Sequence, residues 1–418
     1  MTGFLGRDLD LRAAPTANES LDRVVVCGAG PVGLTAALTL VQAGVPVTVF
    51  EKLPALSTES RASTFHPPTL ELLDELGVAG EVVGRGLRAA TTQFRDRRTG
   101  PVATFDLGVL SAETAYPYRI QLEQSKLTPI LVAELERGRA AGEYDIEIRF
   151  DHRAHVAGQS QGGARLLVGT ADDLVQVDAP WVIGAEGAHS AVRSSVGIEL
   201  VGEAYPERFL VVSVAEELSD HLTDLAYVNY VADPAEWLVL LRTPDHWRVL
   251  FPVADDEGTD DEVLADESIQ SRLGAIVDLG RDWEVLDTSL YAVARRVATS
   301  MRCGRVLLAG DAAHQNSPLG GMGMNSGIQD AVSLGRRLGR VWQGAPGELL
   351  DEYDLRRRRV ATEFVQADSH ANWLVLREPD PGLRAEMQAD LMAIAGDPER
   401  HAERMRRTAM LDAVRSSL

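Results

Sequence analysis

The chain has 418 residues, 45% hydrophobic and 25% charged, with a formal charge of −21 and a pI near 4.9. That length exceeds one average core and implies two packed lobes, while the acidity argues against a nucleic-acid partner, which needs a clustered basic face to displace counterions. Two cysteines make no disulfide framework and fit a reducing cytoplasm, and no run of about eighteen apolar residues is present to span a membrane.

Residues 1–20 mix both charge signs and read as a flexible tail. From Arg23, "RVVVCG" is a short β-branched strand, "AGPVGLTAALTLVQAG" carries helical periodicity and "VPVTVFEK" returns to a strand. This βαβ unit is the element from which parallel sheets are built. A helix is expected over Pro67–Leu76, ended by Gly77, and another over 123–141. Segments between 145 and 185 alternate as an antiparallel meander that feeds back into the parallel sheet. Four strands follow between 205 and 255, with a Thr243-Pro244-Asp245-His246 turn, and then an acidic helical stretch near 260–278. Helical patterns at 323–341, 347–375 and 381–416 fill the C-terminal quarter.

The expected fold is therefore α/β, a Rossmann-like parallel sheet interleaved with a second mixed or antiparallel sheet and C-terminal helices. The boundaries that follow assign 21–100, 115–200 and 285–345 to the first lobe, 101–114 and 201–284 to the second sheet, and 346–418 to the helices.

"VVVCGAGPVGLTAAL" places Gly28, Gly30 and Gly33 as GxGxxG between a strand and a helix. The first glycine permits the turn, the second admits a pyrophosphate and the third lets helix and strand pack closely. Ala29 and Val32 lie within the motif, and the next strand ends in Glu51-Lys52, where a carboxylate receives a ribose hydroxyl. That acid disfavours the extra phosphate of NADP and leaves NAD or the adenosine half of FAD.

"VLLAGDAAHQNSPLGGMGMN", 306–325, separates the two. Asp311 stands at the carboxyl end of a strand, where ligands bind in open α/β sheets, although a lone Asp there is equally a helix N-cap. Gly320, Gly321 and Gly323 precede a helix starting near Met324, whose unpaired amides suit the negative pyrimidine edge of a reduced flavin. The two glycine sites are then expected to hold opposite ends of one FAD. A third stretch, "WVIGAEGAHSAVRSSVGI", reads as a strand–helix corner with a local ion pair.

These three motifs, in this order from about Arg23 to Leu338, resemble the FAD-dependent aromatic hydroxylases, the single-component flavoprotein monooxygenases built like para-hydroxybenzoate hydroxylase. The resemblance implies Asp311 at the ribityl chain, Pro318 beside the flavin ring and Gly323, Met324 and Asn325 at its pyrimidine edge, with Gly321 as a further cofactor-binding residue. It adds Arg61 near the phosphates and Gln121 as a further cofactor contact. It implies an NAD(P)H-consuming hydroxylation of a small phenolic or heteroaromatic ring by dioxygen through a flavin C4a-hydroperoxide, in a monomer or homodimer with no resident metal. Flavin dehydrogenases, oxidases and non-catalytic flavin binders share the same cofactor motifs. Glu186 departs from the aspartate usual in the middle motif.

Substrate candidates are Tyr227, Tyr230, Trp237, Arg242 and Trp247 in the second sheet, together with Pro318; period-two alternation turns only some of them inward. His66, His221 and His314 titrate in a useful range, but no general base is assigned: His66 and His221 read as solvated turns and His314 as a packing residue. Arg356–Arg359 reads as a solvated helix face paired with neighbouring acids.

Overall fold

Val24–Cys27, Val47–Phe50, Trp181–Gly184 and Val306–Leu308 are buried over their whole length, as only strands of a sheet covered on both faces can be. A computed structural model of the chain describes residues 15–59, 62–171 and 173–417. It sets these four strands side by side in a six-stranded sheet in the order Arg302–Cys303, Val306–Leu308, Trp181–Gly184, Val24–Cys27, Val47–Phe50, Ile146–Arg149. All pairings are parallel except that of the short Arg302–Cys303 edge.

The helices Pro31–Gln42 and Gly323–Trp342 lie against one another and run in the same direction. Their contact is made of small residues: a Cβ added at Gly327, Gly335 or Gly339 would come within 2.6, 2.7 and 2.8 Å of Val32, Thr39 and Ala43. Parallel packing this close puts both N-termini, each the positive end of a helix dipole, at the same end of the sheet.

A second, eight-stranded sheet is antiparallel apart from one junction, where Val228–Ala232 runs parallel to Thr91–Asp96. Alternation gives it two apolar faces. Phe209, Val211, Tyr230, Trp237 and Leu319 share one cluster, and Leu210, Val212, Trp247 and Phe251 share the other.

The meander Arg153–Ser160, Gly163–Gly169, Leu174–Ala179 is present as expected, but Ala17–Ser20, placed in the tail from sequence, pairs parallel to its last strand. Two further boundaries differ. Thr91–Asp96 and Val285–Ala298, assigned to the first lobe, are ladder strands of the large sheet. Val285–Ala298 owes its place to Leu200–Val214, distant in sequence, and Thr91–Asp96 to both its hairpin partner Gly100–Asp106 and the distant Val228–Ala232. Among the described residues no helix is long and apolar enough to cross a membrane.

Candidate active site

Gly28 has φ +108°, and a Cβ there would meet the Ala185 carbonyl oxygen at 2.6 Å, so both conformation and space require glycine. Its N–H donates to Phe50 O at 2.7 Å, Ala185 N–H to Cys27 O at 2.9 Å and Ala309 N–H to Gly184 O at 3.1 Å, which stitches four strand ends into one rim. Buried Glu51 braces this rim: Oε2 accepts from Ala29 N–H at 2.7 Å and Oε1 from Leu53 N–H at 3.0 Å. Lys52 is exposed beside it.

Pro31 begins its helix with no side-chain cap, and Gly323 begins its own the same way. A Cβ on Gly30 would meet no protein atom within 4 Å, which leaves a cradle beside an uncapped helix start. Val32 joins the two motifs, touching the positions where a Cβ would grow on Gly310 and Gly327.

Asp311 is exposed in a short 3-10 turn, Gly310–Ala312, and not at the N-cap of a helix. Downstream, Gly321, with φ +66°, backs onto Thr64. Buried Asn325 fastens the loop: Nδ2 donates to Thr64 O and Gly321 O at 2.7 Å each, and Oδ1 accepts from His66 N–H at 2.8 Å. Its side chain is thereby fully used by protein, leaving its backbone amide for a ligand. Thr64 Oγ1 donates to Gln121 Oε1 at 2.9 Å, and Gln121 Nε2 is buried without a partner. An orphan donor beside a glycine loop and two uncapped helix starts is the chemistry an extended diphosphate–flavin ligand fits. Arg61 lies outside the described residues.

In the middle motif Glu186 accepts from Ser190 Oγ at 2.8 Å and Val192 N–H at 3.0 Å, so the longer acid caps the helix Ala191–Ser195. Burial raises its pKa, against the pull of those two bonds. Arg193 does not make the expected local ion pair at hydrogen-bond distance; it donates to Ala188 O and Ala312 O at 3.2 and 3.1 Å and ties this corner to the Asp311 turn.

The solvated reading of the arginine run fails at one position. Arg356, Arg358 and Arg359 pair with Glu352, Asp354 and Glu363 as expected, but Arg357 is 0% exposed. Its Nε donates to Asp330 Oδ1 at 2.5 Å, Nη2 to Ser326 O and Oγ at 3.1 Å and Nη1 to Ser417 Oγ at 2.8 Å. Asp330 Oδ2 in turn accepts from Gly310 N–H at 3.0 Å and lies 2.7 Å from His314 Nε2. The turn that carries Asp311 therefore hangs on a buried ion pair, and His314 packs there as expected.

Tyr230 and Trp237 lie on the large-sheet face that also holds Leu319, next to Pro318. Arg242 and Trp247 are cross-strand partners whose side chains are both taken by Glu217, at 3.0 and 2.5 Å, with Trp247 in the opposite cluster. Tyr227 is 42% exposed. The structure thus brings two of the five sheet candidates onto the face that holds Leu319. His221 is exposed, whereas His66, read as solvated, is 0% exposed because the helix Pro67–Glu75 and the Gly320 loop close over it.

The family described as FAD binding domain matches residues 22–368. A para-nitrophenol 4-monooxygenase of Pseudomonas sp. (strain WBC-3) is 32% identical to the chain, over 88% of this chain and 90% of that protein. A 6-hydroxy-3-succinoylpyridine 3-monooxygenase of Pseudomonas putida (strain DSM 28022 / S16) is 31% identical over 86% and 90%. The crystal structure of p-nitrophenol 4-monooxygenase from Pseudomonas putida DLL-E4 superposes with a TM-score of 0.89 at 30% identity, covering 96% of this chain and 100% of that one.

Proposed function

We propose that this chain, which belongs to the FAD binding domain family and is an FAD-dependent aromatic monooxygenase using NADH or NADPH and dioxygen, acts on a small ring carrying a hydroxyl group. Two of its similar proteins are named for para-nitrophenol and for a hydroxypyridine, whose shared feature is that hydroxyl. One observation supports the placement of the cofactor above the others: two uncapped glycine-rich helix starts run parallel and meet through Val32, so a single extended ligand can touch both.

In this reading Gly28, Ala29, Gly30, Val32 and Gly33 frame the diphosphate, Glu51 and Lys52 lie at the adenosine ribose, and Arg61 keeps the phosphate role that the resemblance implies. Asp311 takes the ribityl hydroxyls and Gln121 Nε2 donates to the cofactor. Gly323, Met324 and Asn325 present amides to the pyrimidine edge, while Gly321, whose own N–H is donated to Pro318 O at 2.9 Å, shapes the loop before them. Bound FAD supplies electron acceptance from the reductant and oxygen activation; the chain supplies position, charge and a dry wall of Pro318, Leu319, Tyr230 and Trp237 against the ring. It acts as a monomer or homodimer.

The FAD-loaded protein, given NADH or NADPH, 4-nitrophenol or 3-hydroxypyridine and isotopically labelled dioxygen, is expected to release a product carrying one labelled oxygen. Reductant consumption that yields hydrogen peroxide alone with every hydroxylated ring tested refutes the assignment. Asp311→Ala is expected to lower FAD affinity by about tenfold or more, the value of one lost hydrogen bond to a charged group, as read by flavin fluorescence during apoprotein titration.

A further inference from the structure

Beside the cofactor loop lies a second group of buried polar atoms that the flavin contacts above do not use. The short strands Thr64–Phe65 and Arg119–Gln121 pair antiparallel with Thr64 opposite Gln121 and Phe65 opposite Ile120. Continuing that register sets His66 opposite Arg119, and period two puts Thr64, His66, Arg119 and Gln121 on one face. His66 Nε2 lies 2.8 Å from Gly320 O, and a carbonyl only accepts, so Nε2 carries the hydrogen. Burial, and then the nearby Arg119 cation, hold the His66 pKa well below the usual histidine value, so the ring is neutral and Nδ1 presents a lone pair. Nδ1 has no partner. Arg119, 4% exposed, spends only Nη2, on Thr408 O at 3.4 Å, and its Nε and Nη1 are also unmatched. An acceptor and a charged donor left open side by side cost stability unless a ligand completes them.

The geometry points to His66 and Arg119 as the pair that recognises the substrate's ring hydroxyl, Nδ1 accepting from its O–H and the guanidinium donating to its oxygen. This rests on the hydroxylated-ring reading above and names the residues that enforce it. Arg119 sits two residues from Gln121 on the same strand face, about 7 Å along it, which carries it past the cofactor contact. Gly320, which anchors His66, is followed back by Leu319, and Leu319 packs with Tyr230 and Trp237 on the aromatic face. Both residues are thus specificity-determining, and a ring lacking the hydroxyl leaves two buried polar groups unpaired.

The test uses the full-length FAD-loaded protein and two probe pairs, 4-nitrophenol against nitrobenzene and 3-hydroxypyridine against pyridine, with Kd read from the perturbed visible spectrum of bound flavin. The wild type is expected to favour the hydroxylated member of at least one pair by about tenfold or more, and Arg119→Met to erase that preference without changing flavin content. Arg119→Lys, which keeps a buried cation, is expected to restore part of it. His66→Phe is expected to behave like Arg119→Met, with flavin content measured separately because this change also removes the bond to Gly320. Wild-type indifference to the hydroxyl in both pairs, an undiminished preference in Arg119→Met, or loss of FAD from that variant overturns the proposal. A wild-type protein that takes up no FAD instead strikes the cofactor placement under the proposed function.

Discussion

Arg357→Met is expected to lower the unfolding free energy by about 3–5 kcal/mol, the cost of leaving a buried charge without its partner. Asp330 is fully buried, and without the guanidinium its remaining contacts are Gly310 N–H and His314. Burial by itself would raise the Asp330 pKa, but Arg357 and then His314 outweigh it and hold the carboxyl below its usual value. A carboxyl whose folded pKa is depressed adds stability above its unfolded pKa of about 3.9, and that stability is lost as pH falls through the folded value. The deficit of Arg357→Met is therefore largest near neutral pH and shrinks under acid, where Asp330 can protonate. Adding Asp330→Asn to Arg357→Met is expected to recover part of the loss, while Arg357→Lys recovers little, since one ammonium cannot reach Asp330, Ser326 and Ser417 together. Urea unfolding of the wild type and the three variants at two pH values, each saturated with FAD, gives the comparison. Equal stability of Arg357→Met and wild type at neutral pH would show that the pair is dispensable.

Much of the cofactor framework was legible because its signals are local. Gly28, Gly30, Gly33 and Glu51 fall within one βαβ unit, where a strand, a turn and a helix start each demand a particular residue type at a fixed offset. Gly320, Gly321 and Gly323 announce the second helix start for the same reason. What could not be read depends on contacts between distant parts of the chain. Four consecutive arginines look alike from sequence, and a helix turns only one of them inward; that it is Arg357 depends on Asp330 lying across the helix interface. The parity of the large sheet posed the same difficulty. Tyr227 and Tyr230 are three residues apart, and only the paired partners turn Tyr230 into the cluster that holds Leu319 while Tyr227 is exposed. His66 looked solvated because it precedes two prolines at a helix start, yet that position is roofed by the Gly320 loop, 254 residues away.

Gly33→Ala is expected to yield a colourless protein, with FAD affinity reduced by at least about 100-fold, the scale on which a displacement of roughly 1 Å acts at a preorganised site. The added Cβ would stand 1.9 Å from Gly28 O and 3.3 Å from Val26 Cγ1. Gly28 cannot give way, because its φ of +108° and its bond to Phe50 O fix the turn. The helix Pro31–Gln42 must retreat instead, and Val32 carries that movement to Gly310 and Gly327, so both ends of the cofactor site open together. The overpacking is expected to lower stability as well, by about 1–3 kcal/mol. Gly30→Ala separates the two effects. Its Cβ would meet no protein atom within 4 Å, so the fold keeps its melting temperature in the absence of FAD. That methyl nevertheless projects beside the uncapped start of the Pro31 helix, where a diphosphate must approach the backbone, and FAD affinity is expected to fall with it. A Gly30→Ala protein as yellow as the wild type would mean that the first glycine turn faces away from the cofactor, and the convergence of the two helix starts would then need another ligand to explain it.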